Sequence, residues 1–188
     1  MHILSQLRGL LGSTSRLCLR RPVADRRGVA AIEFALLAGP FFAMVIGCME
    51  VAWQLATGAA LDHAALRASR YGATGDNNAP GWLTTGHENV PNCRSANIRW
   101  MITRATNGMV KDSAGLVITT ASWGAVNGAG NGTGATGAGT GGQIVSYAIT
   151  YDQPFITGAV AASIWGGGSF RHRAFLLVKN EPFENATC

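Results

Sequence analysis

The chain has 188 residues, 47% of them hydrophobic and only 13% charged, with 25 glycines and a net charge of +5. That length leaves room for one modest folded unit beside any membrane segment, and the composition excludes both an ordinary charged cytosolic domain and a disordered polyelectrolyte. A nucleic-acid surface is excluded too: Arg8, Arg16, Arg20, Arg21, Arg26 and Arg27 against Asp25 carry the whole excess, and residues 28 to 188 are balanced.

Directly after the arginines, Val29 to Met49 reads VAAIEFALLAGPFFAMVIGCM, 21 residues whose one charge is Glu33. As a helix this run is about 30 Å long, the thickness of the hydrocarbon layer. Its single proline, Pro40, is tolerated in lipid. The basic leader before it and the mixed charges after it (Glu50, Asp62, Arg67, Arg70) place the N-terminus in the cytoplasm and the remainder outside. Ordinary signal cleavage near the small residues Ala56 to Ala60 is the competing export route.

Helical character continues past Glu50 through an alanine- and leucine-rich stretch to Gly72 and Gly75. Val51, Leu55, Leu61 and Ala65 fall near one stripe, with Trp53, Ala56, Ala60 and Ala64 beside it. One helix of about 40 residues is expected, its first half in lipid and its second half packed on protein.

Glu33 carries the most information. A carboxylate inside an apolar segment must be neutralised, reach the surface, or find a positive partner. A cut between Gly28 and Val29 would create an amino group about one helical turn from Glu33, able to pair with it within or between subunits. The competing reading is that Glu33 lies shallow enough to reach Arg26 or Arg27.

The run from Arg27 through Gly28, Val29, Ala30, Ala31, Ile32, Glu33, Phe34, Ala35, Leu36, Leu37, Ala38 and Gly39 to Pro40, followed by Gly47 and Glu50, resembles the N-terminal signature of TadE-like pseudopilins of the tight adherence (Flp pilus) system. The resemblance implies cleavage after Gly28 by a prepilin peptidase, with Arg27, Gly28 and Val29 as the processing residues. It implies that Glu33, Phe34 and Glu50 serve helix assembly. It covers roughly residues 26 to 72, and a weaker likeness returns over residues 142 to 155.

Beyond the helix, residues 73 to 97 read as loop, Asn97 to Met101 and Leu116 to Ala121 are short apolar or β-branched runs, and Gln143 to Tyr151 alternates as a strand. Phe170 to Lys179 is a further strand candidate, with Gly166 to Gly168 marking the turn before it. Residues 124 to 142 hold nine glycines in nineteen positions and read as a mobile loop. They are neither a phosphate loop, lacking Gly-Lys-Ser/Thr, nor a calcium repeat, lacking aspartates.

Of the four cysteines, Cys18 falls on the reducing side and Cys48 near the end of the span, leaving Cys93 and Cys188 together on the oxidising side. A bond between them is worth roughly 2 to 5 kcal/mol; two unlinked thiols are the alternative. The histidines are scattered and form no ligand pair, and His172, between Arg171 and Arg173, reads as a solvated or interface patch.

The expected architecture is α+β: a cytoplasmic leader 1–28, a transmembrane helix 29–49, an emerging amphipathic helix 50–72, and an extracytoplasmic domain 73–188 with a short antiparallel sheet. The expected role is that of a minor pilin-like component in the bacterial inner membrane or at a pilus. Its small residues Ala30, Ala31, Ala35, Ala38 and Gly39 would let helices approach closely. Its partners are then a prepilin peptidase, other pilins or pseudopilins, inner-membrane assembly proteins and the lipid bilayer. No enzymatic activity, metal, cofactor or nucleic acid is expected. The rival readings are an uncleaved, membrane-anchored envelope protein that binds a partner, and a soluble exported protein.

Overall fold

The computed structural model describes residues 28–84 and 93–184. The basic leader with Arg27, residues 85–92, Cys18 and Cys188 lie outside the described residues. Two compact units divide the chain, Met1–Ala43 and Met44–Cys188.

A single helix, α1 (Val29–Thr74), runs for 46 residues and includes Pro40. Its N-terminal part is long and apolar enough to cross a membrane, and Ile32, Phe34, Leu36, Leu37, Phe41 and Phe42 are all exposed. Apolar side chains with no protein around them are what a single membrane anchor requires.

From Glu50 onward the same helix buries one face. Glu50, Gln54, Thr57, Leu61, Ala64, Ala65, Ala68, Tyr71 and Gly72 are covered, a spacing of three and four that keeps them on one side. This corrects the stripe expected from hydropathy: Leu61, Ala64 and Ala65 belong to it, but Val51 and Leu55 are 50% and 69% exposed. The stripe begins with three polar residues, and their hydrogen bonds make that burial tolerable.

After α1 come α2 (Gly81–Thr84) and α3 (Arg94–Ala105). Asn97 to Met101, read as a short apolar run, is therefore helical. Its Asn97, Ile98, Met101 and Ile102 are buried at helical spacing. Four strands follow, β1 (Leu116–Trp123), β2 (Ala135–Thr136), β3 (Ile144–Pro154) and β4 (Ser169–Lys179), with the short helices α4 (Val126–Asn131) and α5 (Ala159–Trp165) between them. The sheet order is β2-β1-β3-β4, antiparallel throughout. The glycine-rich segment thus carries α4 and β2, and β2 pairs Thr136 with Ala121 of β1.

Alternation along β3 turns Val145, Tyr147, Ile149 and Tyr151 inward. They meet Leu61, Ala64, Ala65 and Ala68 of α1 and Ile98, Met101 and Ile102 of α3 in one core. Two helices on one face of an antiparallel sheet make a two-layer α+β unit. Arg94, 1% exposed, ties it together by donating to Gly72 O of α1 (3.2 Å) and to Gly139 O of the glycine-rich segment.

Candidate functional site

Two regions of α1 concentrate the residues singled out from the sequence. Near its start, Gly28 and Val29 are exposed, as are Ala30, Ala31, Glu33, Phe34, Ala35 and Gly39, while Ala38 is half-buried. A Cβ added at Gly28 or Gly39 would meet nothing within 4 Å. The helix begins at Val29, directly after Gly28.

Glu50 behaves differently. It is 2% exposed, and its carboxylate is fully engaged. Gln54 Nε2, one turn along the helix, donates to one oxygen at 2.9 Å. The Thr157 backbone N–H and hydroxyl donate to the other at 3.0 and 3.1 Å. Burial works against ionisation, but the hydrogen bonds from Gln54 and Thr157 outweigh it and hold the carboxyl below its ordinary range. Gln54 extends the chain of contacts, since its Oε1 lies 3.0 Å from Nε2 of His172. His172 is only 7% exposed, and Phe170 packs against it with the rings tilted by 59° and centroids 5.0 Å apart. Burial pushes its pKa down, partly opposed by Asp62. Gly58 makes room for it: a Cβ there would lie 3.3 Å from His172 Nδ1.

His172 is therefore a buried partner of the helix, which corrects its reading as a solvated patch. Arg171 and Arg173 alternate outward on β4 while His172 and Ala174 alternate inward. Alternation could have revealed this; the flanking charges obscured it. Sequence reasoning also missed Gln54 and Thr157, and their only signal was the four-residue step from Glu50 to Gln54.

A cavity of about 450 Å³ opens beside this cluster, walled by Glu50, Val51, Leu55, Phe155, Phe170 and His172. Its lining is mostly apolar. Among the described residues, no group of three or more His, Cys, Asp or Glu side chains is arranged to hold a metal ion. Cys93 is disulfide-bonded, and Cys48 is a free, exposed thiol.

The fold and this geometry define a class: an α+β domain carried on a long helix whose leading half suits a membrane and whose first polar residue beyond that half is locked into the domain. Residues 28–70 match the family model described as TadE-like protein. The match begins at Gly28, spans Glu33 and Glu50, and ends just before the buried turn at Tyr71 and Gly72. No curated protein and no solved structure matches the chain.

Proposed function

We propose that this protein is a minor pilin-like component of the tight adherence pilus assembly system, matured by cleavage between Gly28 and Val29. In this reading Arg26 and Arg27 hold the leader in the cytoplasm, Val29–Met49 crosses the inner membrane, and the domain stands outside. The observation that carries it is the TadE-like match starting at Gly28, on a helix whose apolar half has no protein packed around it. Cleavage gives Val29 an amino terminus one turn from Glu33, so each acid can meet its own or a neighbour's positive end in lipid. Ala31, Ala35 and Gly39, four residues apart, supply a flat face for a neighbouring helix. Glu50 does a different task from Glu33: it fastens the emerging helix to the domain.

A disulfide between Cys93 and Cys188 belongs to the same reading, since both fall on the oxidising side. N-terminal mass analysis of the mature chain, with and without Gly28→Leu, tests the proposal. Maturation to a Val29 terminus in cells with an active prepilin peptidase, lost in Gly28→Leu, is the expected result. A mature protein that keeps its arginine-rich head in such cells refutes it and favours an uncleaved membrane anchor.

A further inference from the structure

The β3–β4 hairpin runs back along α1, and its tip arrives where the apolar segment ends. Tyr147 of β3 packs on Gly72, and Thr157, just past the strand, is bonded to Glu50. Between those two fixed points the helix rises about 33 Å, while the hairpin runs as strand from Tyr147 to Pro154 and then turns through Thr157. The later hairpin residue meets the earlier helix residue, so β3 runs antiparallel to α1. Contacts between the two attachments fall in the same order, with His172 against Gly58 and Gln54. The Phe155 N–H donates to Gly168 O at 3.3 Å and closes the hairpin, so residues 156–167 form a tip held at the level of Glu50. Glu50 is the first residue beyond the apolar run Val29–Met49.

The chemistry of the tip matches that position. Residues 153–170, QPFITGAVAASIWGGGSF, contain no charge. Ile156, Val160 and Ile164 are each at least 60% exposed; Val160 and Ile164, four residues apart on α5, share one side, and Ile156 stands in the turn before the helix. Val51, Leu55 and Phe170 add further exposed apolar surface around the neighbouring cavity. A patch of this kind on a soluble surface is a liability; beside a bilayer it is an attachment.

We propose that the hairpin tip is a second membrane contact, in which Ile156, Val160 and Ile164 bed into the interfacial layer of the bilayer that α1 crosses. The inference rests on the reading of Val29–Met49 as a membrane span. Lipid is the occupant because Thr157 ties the tip to the first residue past that span, and Met49, Val51 and Leu55 on that part of α1 are exposed apolar side chains as well.

The test uses the full chain in vesicles of phosphatidylethanolamine and phosphatidylglycerol. Cys18 and Cys48 are replaced by serine, and the Cys93 disulfide is kept. A nitroxide is attached in turn at Val160→Cys, Ile164→Cys, Met44→Cys within the span, and Arg70→Cys on the exposed far part of α1. All four positions are exposed, so the label needs no repacking. Power saturation then compares collisions with oxygen, which partitions into lipid, and with a nickel chelate, which stays in water. Oxygen should dominate several-fold at positions 160 and 164, as at 44, and the chelate should dominate at 70. Chelate access at 160 and 164 equal to that at 70, with 44 still in lipid, overturns the second contact and leaves the span intact. Chelate access at 44 as well overturns both. Shielding of 160 and 164 that appears only at high protein-to-lipid ratio identifies a second copy of the chain as the occupant, and that also overturns the lipid assignment.

Discussion

Gly72 sets how closely α1 can approach the sheet, and replacing it with alanine measures that closeness. An added Cβ would fall 2.2 Å from the Tyr147 hydroxyl oxygen, 3.0 Å from Tyr147 Cζ and 3.3 Å from Ile98 Cδ1. Tyr147 is 1% exposed and Ile98 likewise, so neither has free space to move into. Overpacking of this severity costs about 3 kcal/mol. Alanine regains about 1 kcal/mol through its better helix propensity. The net loss is about 2 kcal/mol, or about 8 °C in melting temperature for a unit of this size. Tyr147→Phe separates the causes. Its hydroxyl finds no hydrogen-bond partner among the described residues, so removing it alone should be nearly neutral. In the Tyr147→Phe background the nearest contact relaxes from 2.2 to 3.0 Å, and Gly72→Ala should then cost less than half as much. Thermal melting of the four chains in detergent micelles, followed by tryptophan fluorescence, gives a coupling energy of about 1 to 2 kcal/mol. A Gly72→Ala chain that melts like the wild type, or a cycle that is simply additive, refutes the proposed contact between helix and sheet.

Two further outcomes follow from the buried polar groups. Arg94→Met leaves the Gly72 and Gly139 carbonyls without their charged donor and should lower stability by roughly 3 kcal/mol, read from the urea midpoint at unchanged m-value. Arg94→Lys should recover only part of the loss, because one ammonium cannot reproduce the guanidinium fork. Acidification should destabilise the domain in two stages. His172 is held neutral by burial, against a smaller pull from Asp62, so the unfolded chain takes up a proton before the folded one does. Stability therefore starts to fall as pH drops through the ordinary imidazole range and levels off below the folded-state value. Glu50, whose carboxyl is depressed, contributes above the ordinary glutamate range and loses that contribution as pH falls through its lower folded value. Melting temperature against pH should show both stages, and His172→Gln should remove the upper one. A His172→Gln profile identical to the wild type would show that His172 is not the group responsible.

Local chemistry was enough to locate the long helix and three of the four strands. The run from Val29 to Met49 is long and apolar apart from Glu33, and no folded context is needed to recognise a helix of membrane length. Period-two alternation marked β3, and the compact apolar run Ala174 to Val178 marked β4, each to within a few residues. The spacing of Gly28, Glu33 and Glu50 carried the TadE-like resemblance, and the family match falls on the same segment.

Tertiary structure alone decided which polar residues are interior. Hydropathy placed Val51 and Leu55 on the packed face of α1, whereas Glu50, Gln54 and Thr57 occupy it. A polar side chain can be buried only if partners arrive at the right places, and the partners of Glu50 and Gln54 come from Thr157 and His172, more than a hundred residues away in the chain. The same holds for Arg94, whose acceptors lie 22 and 45 residues away. Composition and periodicity describe each segment's own preference for water or protein. They do not encode which distant hydrogen-bonding groups will meet it, and those meetings determine where the helix packs and where the hairpin tip comes to rest.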